Sequence, residues 1–155
     1  MKLETRLFGI IEIDVTKIIN FKNGIIGFEE LKQFMIIHNV ESEETNILWL
    51  QSLDNAEMAL PIIDPLIVRT DYNPVVEDEL FTNIGDVIND EILVFTTLTV
   101  PSDISKITTN LKAPLIINPV TMKGCQIIVD NDDYLVKYPI YDILKAGKEE
   151  NKEGE

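Results

Sequence analysis

Short runs of β-branched side chains, each closed by a turn-forming residue, restrict this chain more than any other feature. Isoleucine alone occupies 24 of the 155 positions. Branching at Cβ suits a pleated, half-buried strand better than a helix, so a β-dominated domain is predicted. Leu3–Leu7 and Ile10–Asp14 read as a pair of strands around Gly9, and Lys17–Phe21 as a third. Asn23-Gly24 marks a turn, because both residues tolerate positive φ. Phe28, Leu31 and Met35 then fall at i, i+3 and i+7, which predicts one or two helical turns.

Ile36–Val40 reads as the next strand, and Glu41–Thr45 as an acidic loop. Ile47–Ser52 and Met58–Asp64 form an expected hairpin, ended by Pro65, which cannot donate to a sheet ladder. Val76–Ile84, between Pro74 and Gly85, reads as a short helix with acids in its first turn. Glu91–Val100 is the longest apolar run and should be central. After a polar excursion over Pro101–Leu111, Leu115–Asn118 and Gln126–Asp130 flank Pro119–Gly124 as another hairpin-like unit. Many short strands with brief connections predict a mainly β fold. The form expected is a compact, partly open antiparallel barrel or two packed antiparallel sheets, with one or two short helices.

Length allows one domain with a real core, placed at residues 1–144. Residues 145–155 carry little apolar content and are expected to be a disordered charged tail. The 27 acids and 13 basic residues give a formal charge of −14, and the tail contributes only −1 of it. A body near −13 repels nucleic-acid phosphates and anionic membranes, and speeds encounter with a basic partner. One cysteine permits no intrachain disulfide. The charged start, Met1-Lys2-Leu3-Glu4, lacks the apolar centre of a signal peptide, and no run is long enough for a membrane span. A cytoplasmic location is expected.

Chemistry is hard to find. His38 lies in the apolar run Met35-Ile36-Ile37-His38, a strand position rather than that of a catalytic base. Cys125 follows Gly124 at a turn-to-strand junction and reads as structural. Asp130-Asn131-Asp132-Asp133 invites a calcium loop, but the sixth and twelfth places hold Leu135 and Tyr141 where Gly and Glu are needed. Gly24-Ile25-Ile26-Gly27 superficially matches an RNA-clamping loop, yet Glu29 and Glu30 follow at once. No catalytic, metal or cofactor set is predicted. A hydrolase or carbohydrate-binding module using scattered carboxylates is the competing reading.

Four blocks remain, in order. They are Phe21–Phe34; Trp49-Leu50-Gln51-Ser52 followed by Ala59–Pro65; Thr108–Asn118; and Gly124-Cys125-Gln126 with Tyr134. Together they resemble the flagellar assembly factor family FliW over roughly residues 1–140. The resemblance implies a non-enzymatic regulator that binds the carbon-storage regulator CsrA, a small basic RNA-binding dimer, and relieves its repression of flagellin translation. It also implies that newly made flagellin binds and displaces CsrA. Gln51, Asp54, Glu57, Asp64, Asn110 and Asn118 are the expected partner surface. For Asn110 and Asn118 the capping of a turn is an equally good account.

Overall fold

A computed structural model describes residues 1–38, 46–74, 80–85 and 91–146. The expected loop at 41–45, the start of the Val76–Ile84 helix and the tail beyond 146 lie outside the described residues. Eleven strands are present among those described: β1 (Lys2–Thr5), β2 (Gly9–Glu12), β3 (Ile19–Phe21), β4 (Gln33–Ile37), β5 (Leu48–Ser52), β6 (Ala59–Ile63), β7 (Leu93–Thr99), β8 (Thr108–Thr109), β9 (Leu115–Asn118), β10 (Lys123–Gln126) and β11 (Tyr138–Pro139). Short helices α1 (Pro65–Val68) and α2 (Leu80–Ile84) join them, with a last helical stretch over 141–146.

The mainly β reading holds, and the barrel is closed. β3, β4, β5, β6 and β7 pair in sequence; β7 also pairs with β9, β9 with β10, and β10 returns to β3. Every pairing in this seven-stranded ring is antiparallel except β10 with β3, where Lys123 and Gly124 lie beside Asn20 and Phe21. β1 and β2 form a separate antiparallel ribbon, Lys2 opposite Glu12, while β8 and β11 extend the sheet beyond β7. β7 is the longest strand and touches β6, β8 and β9, as its apolar run predicts.

Side-chain alternation fills the ring. Ile19, Phe21, Phe34, Leu50, Ile62, Phe95, Leu115 and Ile117 form one buried cluster, supplied by every barrel strand but β10. β10 instead presents Gly124 to the ring of Phe21, which meets Phe34 edge to face at 5.3 Å. Ile116 and Cys125 belong to a different cluster with Ile84, so α2 covers β9 and β10 from outside. α1 and the 141–146 stretch cover a further cluster containing Ile63, Val68, Leu98, Ile107 and Ile140.

Two local expectations need correction. The Phe28–Met35 segment is not helical. Ile25 and Phe28 form an isolated bridge, Leu31 N–H donates to Phe28 C=O, and β4 already begins at Gln33. The Asp54 carboxylate accepts hydrogen bonds from Lys32 N–H (2.7 Å) and Gln33 N–H (2.9 Å), bonds that a helix would have replaced. The strand after β9 is Lys123–Gln126, not Gln126–Asp130. Asn118 turns the chain early, and Met122 takes the left-handed φ of 55°.

Candidate functional site

Gln51, Asp54 and Glu57 gather at the rim where β5 turns into β6. Gln51 is fully buried, and its Nε2 donates to the carbonyls of Ser52 (2.9 Å), Ala56 (3.2 Å) and Met58 (3.1 Å). It therefore braces the turn. Asp54 is exposed but already ties two backbone N–H groups of the Lys32–Gln33 segment. Glu57 is exposed, and its carboxylate makes no hydrogen bond or ion pair among the described residues; only its backbone is engaged, by Arg6 Nε and Asn55 Oδ1.

The other three lie elsewhere. Asp64 and Asn118 end β6 and β9, which run in the same direction on either side of β7, so both sit at the opposite rim. Asp64 caps α1 by accepting from Leu66 N–H at 3.0 Å. Asn118 is fully buried; its Oδ1 accepts from Val120 and Thr121 N–H, and its Nδ2 donates to Ile84 C=O at 3.0 Å. Asn110 Oδ1 accepts from Lys112 and Ala113 N–H. Capping thus accounts for both asparagines, and the six residues form a rim cluster of three and three scattered positions.

Sequence reasoning missed a cleft beside Asp64. Asp64, Pro65 and Leu66 form one wall, Ile92, Leu93, Val94 and Phe95 the other, with Tyr72, Asn73, Pro74 and Ile116 completing ≈ 380 Å³ of space. Next to it Arg69 clips α1 to the 131–134 turn. Arg69 bonds Asp71 at 3.0 Å and Asp133 at 2.9 Å, and lies 4.7 Å from the centre of the Tyr134 ring. Burial works against the guanidinium's charge, but the bonds to Asp71 and Asp133 outweigh it and raise its pKa. Tyr72 packs on Tyr134 and donates to Leu111 C=O at 2.7 Å; burial, then Tyr134, raises its phenol.

The one cysteine is unprepared for covalent chemistry. Burial pushes the Cys125 thiol up to about 11, away from the depressed values of nucleophilic thiols. Iodoacetamide at pH 8 should therefore modify the native protein at least about tenfold more slowly than the urea-unfolded chain, followed by mass spectrometry. Equal rates would show the thiol to be as accessible and as readily ionised as in the unfolded chain. In the 130–133 turn Asp133 is held by Arg69, while the Asn131 carbonyl takes the Lys112 ammonium at 3.0 Å. Among the described residues no group of three or more His, Cys, Asp or Glu is placed to hold a metal ion. No described helix is long and apolar enough to cross a membrane.

Known proteins share this architecture. The sequence profile of the FliW protein family matches residues 2–140. A flagellar assembly factor FliW of Lachnospira eligens is 53% identical over 153 residues, spanning 97% of this chain and all of the relative. One from Lachnoclostridium phytofermentans is 48% identical over 98% of this chain and 99% of its own length. The crystal structure of a flagellar assembly factor FliW superposes with a TM-score of 0.82 at 29% identity, covering 91% of this chain and 97% of that one. With the family profile running from β1 to the end of β11 and relatives matching at full length, the chain belongs to the FliW family.

Proposed function

We propose that this protein is a non-enzymatic, cytoplasmic regulator of flagellar assembly that binds CsrA and antagonises its repression of flagellin translation, with flagellin as the competing partner. The observation that carries the reading is full-length kinship with proteins named as flagellar assembly factors rather than as enzymes. The formal charge of −14 supports it, since such a field steers a basic dimer toward the surface and raises the association rate. Of the rim residues, Glu57 is the one whose carboxylate can meet a partner cation without giving up a bond within the protein. Reversal of Asp54 would instead release the N–H groups of Lys32 and Gln33.

Calorimetric titration with CsrA from the same bacterium, with and without flagellin, tests this directly. Saturable binding that weakens as salt rises and disappears with flagellin is expected. Glu57→Lys should weaken CsrA binding at low salt; unchanged affinity with an intact fold removes that residue from the surface. A folded sample that binds neither protein at low salt overturns the function.

A further inference from the structure

The β1–β2 ribbon adds nothing to the core of the protein. No residue before Ile19 belongs to any of the buried apolar clusters, and Thr5 is the one buried residue in that stretch. Thr5 keeps its hydroxyl inside the ribbon, donating to Gly9 C=O at 2.8 Å and accepting from Phe8 N–H at 3.0 Å. Among the described residues, two hydrogen bonds and one ring contact tie the ribbon to the barrel. Arg6 N–H donates to Ala56 C=O at 3.2 Å and Arg6 Nε to Glu57 C=O at 3.1 Å. Phe8 meets Trp49 edge to face, with ring centres 5.8 Å apart. Between the ribbon and β3 the chain is exposed from Asp14 to Lys17.

The barrel does not depend on the ribbon in return. Its seven strands close through β3 and β10 and take no pairing from β1 or β2. The β5–β6 turn that receives Arg6 is also braced by Gln51, whose carboxamide reaches the same Ala56 carbonyl and those of Ser52 and Met58. Loss of Arg6 therefore leaves the turn in place. A two-stranded ribbon alone is marginal in water, so once off the barrel it loses its own ladder too. We infer that residues 1–13 are a latch, hinged at Asp14–Lys17, that opens as a unit while the barrel stays folded. Opening takes Phe8 off Trp49 and lifts the Arg6 guanidinium from the turn that carries Glu57. Segments of this low-stability kind are the ones that move when a surface is engaged. The latch stands or falls independently of CsrA binding.

Hydrogen exchange on the full chain, followed amide by amide by NMR, is the test. Ile13 N–H donates to Met1 C=O, so the alternation of an antiparallel ladder also directs the N–H groups of Leu3 and Ile11 across the ribbon. These three amides should share one level of protection and exchange at least about a hundredfold faster than the slowest barrel amides. Ile117→Val then separates local from global opening. Ile117 is buried in the barrel cluster on β9, which makes no pairing with the ribbon. The substitution should speed the slowest barrel amides by about threefold to tenfold. The ribbon amides should keep their rates, because the core defect is the same with the latch closed or open. Ribbon amides that speed up in step with the barrel would show that the two open only together, and would overturn the latch. Protection that falls in a gradient toward Ile13, with no common value, would mean end fraying and overturn it equally.

Discussion

Gly24→Ala should lower stability by about 3–4 kcal/mol, enough to drop the melting temperature by roughly 6–15 °C in a chain of this size. Gly24 holds φ at 68°, where an L side chain crowds its own backbone at about 1–2 kcal/mol. The neighbour is the larger obstacle. A Cβ here would lie 2.5 Å from the Glu29 carbonyl oxygen and 2.6 Å from the Glu29 Cα. Backbone cannot rotate away as a side chain can, so the turn over the barrel's end must shift, carrying Ile25 and Leu31 out of the core. Gly27→Ala is the internal control. Its φ is 91° but nothing lies within 4 Å of an added Cβ, so only the conformational cost of about 1–2 kcal/mol is expected. Thermal or urea unfolding of both variants checks the difference. Equal losses would mean that the close approach to Glu29 costs nothing.

The second large effect is at the parallel seam. Gly124→Ala puts a methyl group 2.7–3.2 Å from three carbons of the Phe21 ring. That ring is fully buried and braced by Phe34, so the core is overpacked by about 2–3 kcal/mol. The pair should be coupled. In Phe21→Leu/Gly124→Ala the smaller side chain makes room, and the double variant should be more stable than the sum of the single losses by more than about 1 kcal/mol. Additive losses would show that Phe21 is not what makes glycine necessary at 124.

The two glycines also mark where the fold was and was not legible in the sequence. Local signals placed the β5–β6 hairpin, the β1–β2 pair and the dominance of β7, because alternation, turn residues and a long apolar run act within a few positions. The errors came from partners far along the chain. Phe28, Leu31 and Met35 have helical spacing, but the N–H groups of Lys32 and Gln33 are claimed by Asp54, more than twenty positions on. Gly124-Cys125 reads as a turn locally. It becomes strand because Phe21 needs a neighbour without a side chain, about a hundred positions earlier.

The candidate site was less legible for a related reason. Asn110, Asn118, Gln51 and Asp64 are polar residues in apolar surroundings, a pattern shared by partner contacts and by caps of the chain's own turns. Only the coordinates show their bonds directed inward. The cleft is created by an absence, the early departure of β6 from β7, and a missing pairing has no residue type of its own.

The parallel β3–β10 seam, with Gln126 Oε1 accepting from Ile26 N–H at 2.8 Å, ties the first strand of the ring to the last. During synthesis on a ribosome, then, no growing chain shorter than about 126 residues can complete the ring, however long it waits. β3 spends most of translation with one flank unmatched and Phe21 without its cover. Pairing across such a sequence separation is slow, because the entropy of closing the loop comes before any reward. The finished barrel consequently forms only near the end of synthesis, and arrest peptides placed before and after residue 126 would register the onset of tension as a single late step.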